Sequence, residues 1–352
     1  MATTIAERRV EALVDRCHSD LAGADLAAEV LARLPRIMPV AATFFAAVDP
    51  ATLLFTSAAA QDPLGSATPR FLDNEFGRAD VNKFAALADA PDPVASLDRA
   101  TKGHRADSAR YREIMAPLGL GDELRAALIV GNRCWGVLCL HLEDAEAGFS
   151  EKDIGIVRRL APHLAEGLRR AVIRDAAVRQ APGAPGMLVL DADLRVISVN
   201  PQAEQWLAQI ADPDADGLPL PVHAAAARLA AAEAEWQGTH DGPAATTRLR
   251  TRDGDWLTLH ATRLSGSAGA QIGVVIEPAA PGELGSLLLA AHGLTEAQSR
   301  VVVLVLRGHS TREIVERLHI SANTVQEHLT AVFDRFGVRS RRELIAVILG
   351  HG

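Results

Sequence analysis

The sequence predicts a multidomain α+β chain: two α/β units with antiparallel sheets, followed by an all-α unit of four helices. Three observations predict it. Turn-rich breaks at Ala181-Pro-Gly-Ala-Pro-Gly186 and Glu277-Pro-Ala-Ala-Pro-Gly282 divide the chain. Upstream of each, short apolar runs alternate with tight-turn signals and helical periods. Downstream of the second, helix-start signals crowd together. A chain of 352 residues can bury two or three separate cores, and the boundaries fall at 1–175, 186–278 and 287–352.

The first unit opens with a helix whose Leu26, Val30, Leu31 and Leu34 share a face. Strands around 41–48 and 53–58 follow, separated by the turn signal Asp49-Pro50. The apolar runs 124–130 and 134–142, joined by Gly131-Asn132, read as a hairpin at the centre of a sheet. From Phe149 to Arg174, Ile154, Val157, Leu160, Leu164 and Leu168 recur at three or four, which is a helix. Its stripe either packs on its own domain or pairs with a second chain through Ile154, Leu164 and Leu168.

In the second unit, Met187–Asp191 and Arg195–Asn200 are strands, and a helix starts after Asn200-Pro201. Thr247–Thr251 and Trp256–Leu264 flank the hairpin turn Asp253-Gly254, and 270–276 supplies a last strand.

In the C-terminal unit Thr295-Glu-Ala-Gln298, Ser310-Thr-Arg-Glu313 and Ser340-Arg-Arg-Glu343 each fit a capping box, where a hydroxyl and a longer polar side chain satisfy orphan N–H groups. Ser321 is the N-cap of the remaining helix, and Gly308 and Gly337 fall where helices stop. Such short, sharply bounded helices suit a helix-turn-helix. Val325, Leu329, Val332 and Phe336 form one stripe of the third helix. Asn323, Gln326, Glu327 and Thr330 occupy the opposite face, from which side chains reach base edges if the helix lies in a major groove.

Leu294-Thr295, Gly308-His-Ser310, Arg312-Glu313-Ile314, Leu318-His-Ile320-Ser321, Thr324-Val325, His328 and Phe336-Gly337-Val338 followed by Arg341 resemble the LuxR-type DNA-binding domain. The resemblance implies that the helix from Ser321 to Phe336 reads DNA and that the last helix supports pairing of two copies. One departure is Gln326-Glu327, where the family often has Lys first. Gln pairs bidentately with adenine and Glu accepts from cytosine N4, so binding stays open while specificity does not transfer. Gly119-Leu-Gly-Asp-Glu-Leu-Arg125, Trp135-Gly136 and Phe149-Ser150 resemble a GAF domain, which implies sensing without naming a ligand. The strand order of the middle unit and its Asn200-Pro-Gln-Ala203 phrase resemble a PAS domain.

Charge agrees with the division of labour. The formal net charge is -8, but from Leu294 onward eight Arg face six acidic residues, a net of +2 against -10 for the rest. A mildly basic module on an acidic body suits one part touching phosphate. Only three Lys accompany 33 Arg, a bias of GC-rich bacterial genomes. The start has no apolar core of a signal peptide, and no run approaches the length that spans a bilayer.

Chemical constellations are scarce. Cys17, Cys134 and Cys139 have no CxxC spacing. Cys134 invites a redox reading, and His141 beside Cys139 a metal or haem one, but both read first as ordinary core. Asp73, Glu75, Asp122 and Glu123 are two acidic pairs without the spacing of a metal or glycosidase site. No phosphate-cradling loop or nucleophile elbow is present. No catalytic residue, metal or cofactor is therefore expected.

The resulting expectation is a cytoplasmic, homodimeric, signal-controlled transcription regulator binding a double-stranded DNA operator, with RNA polymerase a candidate partner and no membrane. Arg312, Ser321, Asn323, Thr324, Gln326, Glu327, Thr330, Arg339, Arg341 and Arg342 are its candidate DNA contacts. Phe44, Phe45, Phe76, Phe84, Tyr111 and Trp135 are candidates to line a small-molecule pocket in the GAF-like unit, and core packing explains them equally well. A signalling protein whose GAF and PAS units bind protein partners is the alternative.

Overall fold

The computed structural model describes residues 5–145, 147–175, 183–210, 217–235, 245–264 and 270–349. Ala181 and Pro182 of the expected linker, and residues 350–352, lie outside them. Contacts group the chain into two units, residues 1–171 with 179–278, and residues 172–178 with 279–352.

The first unit begins with α1 (Ile5–Cys17), for which the sequence raised no expectation, and α2 (Gly23–Ile37), which buries the foreseen face of Leu26, Val30 and Leu34. Strands β1 (Ala42–Val48) and β2 (Phe55–Ala60) pair antiparallel. The stretch that follows holds α3 (Leu64–Gly77), α4 (Phe84–Asp89), the short β3 (Val94–Ser96) and the one-turn α5 (Leu97–Ala100). The expected hairpin is β4 (Leu120–Val130) with β5 (Arg133–Glu143), closed at Gly131 with φ 66°. Such a φ suits a residue without a Cβ. The sheet runs β2-β1-β5-β4-β3, so β5 is central.

Helix α6 (Glu151–Arg174) packs on this sheet. Ile154, Leu164 and Leu168 are buried, and Leu168 fills the space that a Cβ on Gly136 would need. A stripe already covered by its own domain is not an intermolecular seam. Asp122 fastens the edge of the sheet by accepting from the backbone N–H groups of Asp98, Glu123 and Phe149 at 2.8–2.9 Å.

The second sheet takes β6 (Gly186–Leu190), β7 (Val196–Val199), α7 (Pro201–Ile210), α8 (Leu220–Glu235), β8 (Ala245–Arg250), β9 (Trp256–Leu264) and β10 (Gln271–Pro278). Asn200 Oδ1 caps α7 by accepting from Ala203 N–H at 2.8 Å, as the Asn-Pro start predicts. The order β7-β6-β10-β9-β8 repeats that of the first sheet.

The two sheets are not insulated from one another. One apolar core runs from Phe55 and Leu72 through Val222, Ala225 and Leu229 to Leu257 and Ile276, and α3 lies against α8. Polar ties close the seam. Arg248 grips Asp49 with Nε at 2.8 Å and Nη2 at 2.6 Å, His223 meets Asp73 at 2.8 Å, and Arg228 donates to the carbonyl of Thr52.

The second unit is all helical: α9 (Pro281–Ala291), α10 (Glu296–Leu306), α11 (Thr311–Leu318), α12 (Ala322–Phe336) and α13 (Arg341–Leu349). The expected four helices are α10–α13. Helix α9 precedes them and packs on α13, so the count of four becomes five among the described residues. No described helix is long and apolar enough to cross a membrane.

Candidate DNA-reading helix and sensor cavity

The caps foreseen in the sequence set the lengths of the C-terminal helices. Thr295 and Ser310 each exchange both bonds of the box, Thr295 with Gln298 at 3.3 and 3.0 Å and Ser310 with Glu313 at 3.3 and 2.7 Å. At Ser340 the pattern is a variant. Its Oγ accepts from Glu343 N–H at 3.2 Å, but Glu343 reaches back to Arg339 N–H at 2.8 Å. Ser321 caps α12 by accepting from Thr324 N–H at 3.0 Å, and the two hydroxyls bond to each other at 2.9 Å. Between α11 and α12, His319 takes the left-handed conformation with φ 53° where glycine is usual.

Val325, Leu329 and Val332 bury one side of α12 against α10, α11 and α13. Each contributes on the order of 1.5–3 kcal/mol by leaving water. Phe336 continues the stripe less deeply, stacked on His292 with ring centroids 3.9 Å apart. On the other side Asn323, Gln326, Glu327 and Thr330 are all exposed. Asn323 donates to Glu327 at 2.8 Å, one turn along, and Thr330 Oγ1 donates to the carbonyl of Gln326 at 3.0 Å. Gln326 therefore projects with a complete amide, and Glu327 keeps one carboxylate oxygen outside the Asn323 bond.

The four candidate phosphate contacts divide. Arg339 and Arg342 are exposed, and Arg312 is exposed beside Glu316 at 3.1 Å. Arg341 is half-buried and donates to Thr311 Oγ1 at 2.7 Å, which joins the starts of α13 and α11. Its geometry is that of a brace for the scaffold.

In the first unit a cavity of about 30 Å³ lies between α3 and the sheet. Helix α3 supplies Leu64, Thr68, Phe71, Leu72 and Glu75, and the remaining wall is Phe44, Phe55, Phe84, Arg125, Cys139 and His141. Of the six expected lining residues, Phe44 and Phe84 are there and four are not. Phe45 follows Phe44 on a strand, so it pairs with Leu138 on the opposite face. Phe76 packs edge-on against Phe55 outside the wall, with centroids 5.1 Å apart. Tyr111 turns outward to Asp144 at 3.3 Å. Trp135 is buried where the hairpin register shifts between Cys134 and Gly136.

The sequence reading missed the polar part of this wall. In the hairpin, Glu123 pairs across from His141 and Arg125 from Cys139. Positions two apart share a face, so four polar side chains meet inside the domain. Arg110 grips Glu123 Oε2 with Nε at 2.9 Å and Nη2 at 2.6 Å, and donates to Asn74 Oδ1 at 3.2 Å. Arg125 pairs with Glu75 at 2.9 Å and lies 3.9 Å above the Phe84 ring. The Cys139 thiol donates to Glu123 Oε1 at 3.0 Å and stands 3.2 Å from His141 Nε2.

Burial alone would raise the Glu123 carboxyl, but Arg110 and Arg125 hold it down at about 2. Burial pushes His141 down to about 4 and the Cys139 thiol well above its usual value. The redox reading of Cys134 loses its basis, because burial pushes that thiol up to about 11.

Residues 292–348 match the family of bacterial regulatory proteins, LuxR family, and residues 24–168 match the GAF domain. No curated protein matches the chain. Among solved structures, the GAF domain from Acinetobacter phosphoenolpyruvate-protein phosphotransferase is 14% identical, covers 49% of this chain and 96% of its own, and gives a TM-score of 0.34. The VqsR LBD domain from Pseudomonas aeruginosa is 16% identical over 47% of this chain and 94% of its own, with a TM-score of 0.30. The Vibrio cholera VqmA–ligand–DNA complex is 23% identical over 49% of this chain and 84% of its own, with a TM-score of 0.23. The family matches, not these distant likenesses, carry the assignment. The chain contains a GAF domain at 24–168 and a LuxR-type helix-turn-helix domain at 292–348.

Proposed function

We propose that the chain is a cytoplasmic, homodimeric transcription regulator whose DNA binding answers to a signal received in the GAF domain. The observation that carries this reading is α12, capped at Ser321, buried through Val325, Leu329 and Val332, and presenting Asn323, Gln326, Glu327 and Thr330 outward. That is how a recognition helix meets base edges. Arg339 and Arg342 are exposed where they can position it on phosphate, and Arg312 can do so by exchanging its Glu316 partner for one. A net of +2 gathers few phosphates, which favours two copies on a two-fold site with half-sites about one helical turn apart.

The middle domain is PAS-like in this reading, supported by its strand order and the Asn200-capped helix. Its docking on the GAF domain makes it a relay. Neither domain is assigned catalysis, and RNA polymerase is a candidate partner. Selection of a randomised duplex library by the full chain, followed by titration at several salt concentrations, tests the proposal. A defined motif and a linear fall of log affinity with log salt are expected. Retention of DNA with no motif, or none at all, would favour a protein-interaction role.

A further inference from the structure

The hairpin β4–β5 brings three different donor atoms to one point. Glu123 Oε1 and Cys139 Sγ are 3.0 Å apart, Cys139 Sγ and His141 Nε2 3.2 Å, and His141 Nε2 and Glu123 Oε1 3.9 Å. An ion set between them lies about 2 Å from each, the usual span of carboxylate and imidazole bonds to a first-row metal, and a small outward shift of Cys139 gives the thiolate its longer bond of about 2.3 Å. All three side chains are fully enclosed. Arg110 holds Glu123 through Oε2 alone, which orients Oε1 toward the other two donors in the manner of an outer-shell partner.

The charge of the pocket decides whether a cation is admissible there, since two guanidinium groups are near. Arg110 faces Glu123 Oε2 and Asp80, while Arg125 pairs with Glu75 and stands 3.6 Å from Glu123 Oε1, so a cation on that oxygen takes the place of this weaker contact. Three carboxylates, Glu75, Asp80 and Glu123, offset these two guanidinium groups. Lys83 lies at the margin, partly exposed to water and held by the carbonyls of Asn74 and Arg78. A divalent ion bound by Cys139 displaces the thiol proton into solvent, so the thiolate offsets part of the charge that the ion brings.

We propose that Glu123, Cys139 and His141 hold a divalent first-row transition-metal ion such as zinc, cobalt(II) or iron(II). The mixed N, S and O donors exclude magnesium and calcium. Cys139 and His141 also line the cavity, so the ion keeps one position open toward it, the pattern of reactive rather than purely structural sites. The cavity holds about one water-sized molecule. This replaces the expectation of no metal, and it deepens the reading of the GAF cavity as the signal input.

The test uses the full chain without a polyhistidine tag, stripped with chelator and titrated anaerobically with cobalt(II) chloride in the absence of DNA. Failure here is thus distinct from failure to bind an operator. A thiolate-to-cobalt charge-transfer band that saturates at one equivalent and is displaced by zinc is expected. Cys139→Ser should abolish the band, and His141→Gln should weaken zinc affinity by more than about tenfold. The double variant Cys17→Ser, Cys134→Ser leaves Cys139 as the sole thiol and should keep the band. Should Cys139→Ser not fold, this double variant decides: no band on the folded protein overturns the site. A band that survives Cys139→Ser overturns it as well.

Discussion

His141 shows how much one buried residue can govern. It is enclosed beside Glu123, Arg110 and Arg125, and burial holds its imidazole neutral down to about pH 4. In the unfolded chain the same ring takes a proton near pH 6.5. The folded value is depressed, so the stability is intact above pH 6.5 and is lost as pH falls from there to about 4. In metal-free protein this loss reaches roughly 3 kcal/mol. Urea unfolding of His141→Gln should therefore be flatter across pH 6.5–4 than that of the parent, and parallel curves would show that the proton is taken up elsewhere. Arg341 and Arg342 offer a second contrast. Removing Arg341 breaks its bond to Thr311 and should cost roughly 1.5 kcal/mol of stability. Arg342→Ala should leave melting unchanged but lower the slope of log affinity against log salt by about one. A reversal of these two results would exchange their roles.

At the level of elements, the C-terminal helices were legible because local rules govern them. Capping residues, glycine stops and a 3.6-residue period act within a few positions, and α10–α13 fall where those signals stand. Helix α9 has a weaker start, where only Ala280 N–H reaches the Glu283 carboxylate at 3.0 Å. The exposed face of α12 follows from the same period, so Gln326→Ala should alter preference at one base pair by about 1–3 kcal/mol. Library selection with the variant checks this, and an unchanged motif would remove Gln326 from base reading. The Glu123–Cys139–His141 group was not legible, although its turn was. Counting outward from Gly131-Asn132 in a regular hairpin, Arg125 would oppose Leu138 and Glu123 would oppose Leu140. The register shift at Trp135 moves the pairs from Leu128 back to Glu123 by one, which brings His141 and Cys139 opposite the charged residues. In a run without polar residues, such as 134–140, a bulge breaks no alternation.

For the whole molecule, the sequence marked the turn-rich breaks but could not show that the first two domains share a core. Long-range packing, such as Leu72 with the α8 alanines, carries no local signature. Asp49 is the clearest case. Asp49-Pro50 announces a turn, yet its carboxylate is enclosed and gripped by a residue 199 positions away. Asp49→Ala removes a carboxylate that accepts from Arg248 at both Nε and Nη2 and should cost about 3 kcal/mol. Chemical denaturation should then show the middle domain melting ahead of the GAF domain. A single unshifted transition would mean that the apolar seam suffices.

Helix α3 has a part on both sides of this seam. Leu72 and Glu75 face the cavity, while Asp73 between them meets His223 on α8. A partition common to two compartments cannot be displaced on behalf of one alone. If filling the cavity shifts α3, the docked middle domain must feel the same free energy, and by reciprocity a molecule that tightens or loosens that docking must change occupancy of the cavity by the same factor. The middle domain would then set the threshold at which the GAF domain responds, without needing a ligand of its own.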